Sequence, residues 1–245
     1  IQVVLETPLG KGITPDQRAW SASAQVRNVR SDILIPNRTI TASALQVSAD
    51  ADSLVVRGPV QLGDVGGAVT FSRALGEGSE GTARVDASIN IGPAFLDAFN
   101  INLPPGMVTG QAPAQVAIDL RDPNAAGFRL TSDLRGAELS LAGLGWSKAR
   151  EVAAGLTIVG QLGETPRIDE LSITAPGLQT TGTIRLAPGG GLDRAASERV
   201  RLGGGLDAPP LLRGRGAARP AQVQLARGPL DLRAAMLGPA AGVDG

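Results

Sequence analysis

The sequence contains no cysteine, no histidine and no tyrosine, and its 245 residues include only two Trp and four Phe. Each absence removes a class of chemistry. Without Cys there is no disulfide, no thiolate nucleophile and no Cys-based metal site, and the redox compartment is left open. Without His, a Ser-His-Asp triad cannot be assembled and zinc would be limited to carboxylate ligands. No apolar run approaches the 18 residues of a spanning helix, and no signal-peptide core follows Ile1, so the chain reads as an excised or processed piece of a longer protein. Basic clusters interleaved with aromatics are also missing, which argues against nucleic acid as a partner.

What remains is small, aliphatic and alternating. Apolar residues make up 42% of the chain, so any core must be built from Leu, Val, Ile and Ala. The stretch Ala83 to Ile91 puts Ala83, Val85, Ala87, Ile89 and Ile91 on one side of a pleated strand and Arg84, Asp86, Ser88 and Asn90 on the other. The same period of two recurs in Val116, Ile118 and Leu120, then Phe128 and Leu130, and Leu139 and Leu141. It continues in Leu156 and Ile158, Leu171 and Ile173, and Ile184 and Leu186. Gly (33) and Pro (17) fall between these runs, marking many turns. Short turns join antiparallel neighbours, so the pattern predicts an all-β, elongated antiparallel meander. A sheet of a dozen or more strands must curl, split or close. One helix is expected at Pro93 to Phe99, with Phe95, Leu96 and Phe99 on one side. It would either plug the end of a groove or pack into the core.

Charge is balanced overall but divided. Residues 1 to 193 carry 15 basic and 19 acidic groups, and residues 194 to 245 carry 8 and 4. The Arg of the second stretch alternate with aliphatics and read as a solvated strand face. The dinucleotide-type run Gly76 to Gly81 precedes a strand and contains two Glu, so it reads as a hairpin turn; Gly10-Lys11 lacks the rest of a P-loop. Asp50 with Asp52, and Asp119 with Asp122 and Asn124, are carboxylate sets for a calcium ion or a glycosidase in principle, but Asp119 to Asn124 lies where a strand ends in a Pro-containing turn, where Asp and Asn are expected as turn formers. Asn37-Arg38-Thr39 is a glycosylation sequon, meaningful only where the machinery exists. No metal site and no cofactor is expected. The least generic stretch runs through Leu141-Ala142-Gly143-Leu144-Gly145-Trp146, where a scarce Trp follows a Gly turn and is positioned to cover a sheet edge.

The runs DLRGAELSLAGLGWSK (Asp133 to Lys148), GGGLDRAASERVRLGG (Gly189 to Gly204) and RGPLDLRAAML (Arg227 to Leu237) together resemble the AsmA-like family of Gram-negative envelope proteins, chiefly its YhdP-type members with an AsmA-like C-terminal region. Ser197 and Gly205 stand where that family carries bulkier residues. The resemblance divides the chain into a weakly matching β-groove segment over 1 to 80, an AsmA-like region over 81 to 237 and a tail over 238 to 245. It implies a sheet curved into an open hydrophobic groove, in a periplasmic protein anchored in the inner membrane by a segment outside this chain. It further implies phospholipid transfer between inner and outer membranes, with acyl chains as the partner and no enzymatic activity. On this reading the groove is lined by Val85, Ala87, Ile89, Ile91, Val116, Ile118, Leu120, Leu130, Leu139, Leu141, Leu156, Ile158, Leu171, Ile173, Ile184 and Leu186. The alternative is a closed structural or adhesive β-sandwich whose aliphatic faces pack on each other and hold no lipid.

Overall fold

The computed structural model describes residues 2–6, 19–35, 38–76, 78, 82–101, 103–122, 125–142, 145–163, 167–186, 192–202, 206–208, 210–213 and 222–225. The described chain is mostly β-strand with one short helix, as the alternation and the turn spacing predict. It divides into two compact units, Ile1–Ile89 with Gln115–Phe128, and Asn90–Ala114 with Arg129–Gly245.

In the first unit, β1 (Gln2–Glu6), β2 (Ala19–Ile35), β3 (Arg38–Asp50), β4 (Ser53–Leu62), β5 (Val65–Ala74), β6 (Ala83–Ile91) and β8 (Ala112–Asp119) follow one another across the sheet. The chain pairs antiparallel from each strand to the next as far as β6. β5 and β6 pair antiparallel on either side of the Gly76 to Gly81 run, with Ala74 N–H donating to Thr82 O at 3.1 Å; residues 77 and 79–81 of that run lie outside the described residues. Asp50 closes the β3–β4 turn by accepting from the backbone N–H groups of Asp52 (2.9 Å) and Ser53 (2.7 Å). Its carboxylate thus forms the turn, which the sequence pattern did not mark.

One irregularity resets which residues face which way. Val26 lies opposite Leu45, yet three residues further on Val29 lies opposite Ala42, with Asn28 between them at φ 53°. Asn tolerates this left-handed conformation better than other side-bearing residues. β3 switches face over the same stretch, and the pairing of β3 with β4 shifts there. Both sides of the switch therefore keep an apolar residue on the same face.

In the second unit, the strand order is β9 (Gly127–Ser132), β12 (Gly155–Gln161), β13 (Arg167–Ala175), β14 (Leu178–Leu186), β15 (Leu192–Leu202), β17 (Pro210–Arg213) and β18 (Gln222–Leu225), with β16 (Leu206–Ala208) paired to β15. The simple meander is interrupted twice. Between β6 and β8 the chain forms α1 (Pro93–Ala98) and β7 (Val108–Gly110); between β9 and β12 it forms β10 (Ala137–Leu141) and β11 (Trp146–Lys148). β7, β10 and β11 pair with each other as a separate three-stranded sheet. Strands β7 and β11 have three residues each, too few to carry a period-two signal. The helix begins at Pro93 as expected, and Phe95 and Phe99 stack with ring centroids 4.7 Å apart.

Candidate functional site: an aliphatic sheet face

Antiparallel register aligns the apolar residues of the first unit into rows. Ala24 lies opposite Val47, Val47 opposite Val56, Val56 opposite Phe71, and Phe71 opposite Val85. Beside that row, Val69 lies opposite Ala87, and Val60, Gly67 and Ile89 form another. Leu120 N–H donates to Ala83 O at 2.9 Å and Ser88 Oγ bonds Gln115 Oε1 at 3.0 Å, which places Ile118 beside Val85 and Val116 beside Ala87. The predicted residues Val85, Ala87, Ile89, Val116, Ile118 and Leu120 thus share one face in this unit. Sequence reading missed Val47, Val56, Val69 and Phe71 on the same face, although all four belong to alternating runs.

The burial of this face is its most informative property. Val47, Val56, Val69, Phe71, Val85, Ala87, Ile89, Val116 and Ile118 are all half-buried, and Val26 is 44% exposed. Only Ala42 and Val65 fall below a tenth exposed in strands β3 to β5. A face covered by a second layer drives inward side chains toward complete burial. No described side chain of the protein above alanine size is less than 2% exposed.

The opposite face is polar and internally paired. Arg and Asp two residues apart on one strand point to the same side. Arg84 meets Asp86 at 2.7 Å, Arg30 meets Asp32 at 3.8 Å, and Arg121 bonds Asp119 through both its side chain and its backbone N–H. The Arg84 and Arg121 guanidinium groups hold the Asp86 and Asp119 carboxyls below the usual carboxylate range. Asp119 therefore serves its own strand end, and no group of three His, Cys, Asp or Glu able to hold a metal exists among the described residues. Lys11, Asn37 and Asn124 lie outside the described residues.

In the second unit, Leu156 lies opposite Ile173 and Ile173 opposite Thr180; Ile158 lies opposite Leu171 and Leu171 opposite Gly182. Ile168 faces Ile184, kept on this side because Asp169 is the extra residue of a bulge against β12. Five predicted residues, Leu156, Ile158, Leu171, Ile173 and Ile184, therefore share a face, all half-buried, and Thr180 and Gly182 interrupt it. The side chain of Leu186 lies outside the described residues. Leu130 and Ile91 are buried, at 5% and 9% exposure. Leu139 and Leu141 stand on the three-stranded sheet, and Leu141 packs with Ile173 against Leu178.

That small sheet has its own packing. Leu141, Trp146, Ile173 and Ala175 surround the buried Leu178. Trp146 lies over the β13–β14 turn, its indole N–H donating to Pro176 O at 2.9 Å and its ring edge against Gly177, which adopts φ 72°. The scarce Trp covers a sheet end, as its placement after a Gly turn suggests. Lys148, 2% exposed, donates from Nζ to Ala137 O (2.7 Å) and Ala149 O (3.0 Å). Burial pushes its pKa down, partly offset by the charges of Glu151 and Asp133. Nothing in the sequence pattern marked Lys148 as buried.

No protein-family model, curated protein or solved structure matches the chain.

Proposed function

We propose that this chain is a non-enzymatic lipid-handling β domain that holds phospholipid acyl chains along its aliphatic sheet face. In this reading it works in the periplasm as part of a larger, inner-membrane-anchored protein that moves phospholipid between inner and outer membranes. The observation that carries the reading is the half-exposed aliphatic face running across β2 to β6 and β8. Transfer of each CH₂ out of water is worth about 0.8 kcal/mol, so a 16-carbon chain gains on the order of 12 kcal/mol from an apolar track. A lining of Val, Ile, Leu and Ala offers that gain without hydrogen bonds or aromatic slots to fix the chain in one place. The closed β-sandwich reading calls for near-complete burial of the same residues, and their exposure weighs against it.

Native mass spectrometry of the protein purified from bacteria tests the proposal directly. Wild type is expected to carry phospholipid, while Ile118→Asp loses it with the fold retained by thermal melting, because a carboxylate on a solvent-reached face costs little stability but repels an acyl chain. A well-folded wild type that carries no lipid rejects the proposal. So does an Ile118→Asp variant that unfolds outright, since that is the behaviour of a closed core.

A further inference from the structure

We propose that Arg73 is the headgroup contact of the aliphatic face, binding the phosphate of a lipid whose acyl chain lies along β5 toward Val65. The inference rests on the lipid-handling reading and adds to it a polarity, a charged end and a direction for the chain.

Three observations converge on this residue. Register places Arg73 on the aliphatic face, opposite Leu54 on one side and Ala83 on the other, two positions from Phe71. The remaining residues of that face on β4, β5, β6 and β8 are uncharged. Arg38, the first residue of β3, has the parity of Ile40 but is half-buried and already engaged.

Arg73 is also the one described Arg of the first unit without a partner among the described residues. Arg27 bonds Gln25, Arg57 bonds Gln46, and Arg30, Arg84 and Arg121 pair with Asp residues two positions away. The positions two away from Arg73 hold Phe71 and Leu75, and Leu75 is 43% exposed. A solvent-reached guanidinium bordered by apolar side chains suits an amphiphile with an anionic head, because its planar fork bonds phosphate oxygens two at a time.

The length also fits. Eight residue steps separate Arg73 from Val65, about 26 Å at the strand rise. One leaflet of a bilayer, half the ~30 Å hydrocarbon thickness, needs about 15 Å for an acyl chain. A chain anchored at Arg73 is therefore accommodated along β5 with apolar surface to spare.

The test compares two lipids with identical acyl chains, phosphatidylglycerol and diacylglycerol, which differ by the phosphate-bearing head. Retention by the full chain is read by native mass spectrometry alongside melting. Arg73→Gln is expected to lower phosphatidylglycerol retention about tenfold, the weight of roughly 1.4 kcal/mol from a charge-assisted contact, and to leave diacylglycerol retention unchanged. Arg73→Lys is expected to keep most of the preference, and inorganic phosphate alone is expected not to displace bound lipid. Loss of both lipids in equal measure in Arg73→Gln, or no loss of either, overturns the headgroup assignment while leaving lipid handling in place. Equal losses in the Lys and Gln variants do the same, because they identify Arg73 as a packing stem over Leu54. A folded wild type that retains neither lipid overturns the underlying function as well.

Discussion

At the glycines of the small sheet the backbone leaves no room for a methyl group. A Cβ on Gly110 would stand 2.3 Å from Gly136 O, and one on Gly136 2.3 Å from Gln111 O; their φ values are 73° and 92°. Gly110→Ala or Gly136→Ala is expected to cost roughly 2–4 kcal/mol, from overpacking against backbone added to left-handed strain. Chemical denaturation measures it, and an unchanged midpoint would show that the strands separate freely. Acid acts at residue scale too. Asp50 is held below its usual range chiefly by the N–H groups of Asp52 and Ser53, Asp86 and Asp119 by their Arg partners. A lowered folded-state carboxyl pKa gives stability that is present above the unfolded value and lost as pH falls through the folded one. Stability is therefore expected to be level near neutrality and to decline below about pH 4, with Asp50→Ala removing part of that slope in melts taken from pH 6 to 2. Lys148 contributes in the opposite range: its pKa is lowered, so the unfolded chain binds the extra proton and stability rises as pH climbs toward its ordinary value of 10.5.

At the scale of elements, the β13–β14 hairpin and the three-stranded sheet depend on each other through Trp146. The indole bonds Pro176 O and lies against Leu178. Trp146→Ala is expected to cost about 2–3 kcal/mol, below the 3–5 of a fully buried aromatic because Trp146 keeps some exposure. Hydrogen exchange should show the loss first at Ala175 to Gln179; uniform protection loss across the chain would point instead to global unfolding. The five predicted strand residues of β12 to β14 belong to elements long enough for period two to be read, at seven to nine residues each. β7 and β11, at three residues, were not readable, and so the second sheet was not anticipated. Leu139 and Leu141 alternate in the sequence, but alternation says nothing about which strand is the neighbour.

At the scale of the whole molecule, the question is what an aliphatic face meets. Val56→Asp, at the middle of the longest row, is expected to abolish lipid retention with a fall in melting temperature of only a few degrees, equivalent to about 1 kcal/mol in a chain of this size. A loss of the folded state would place Val56 in a closed core. The sequence by itself determined that the protein is all-β, that most of its longer strands pair antiparallel with the next in the chain, and that these carry one aliphatic side, because this follows from a period of two and short Gly- and Pro-marked turns. It also removed His- and Cys-dependent chemistry outright. Only the tertiary structure decided that the apolar face of the first unit is half-exposed, that Arg73 stands upon it without a partner among the described residues, and that Lys148 is buried. These depend on cross-strand register and on which layers cover which faces, and both are set by residues far apart in the chain.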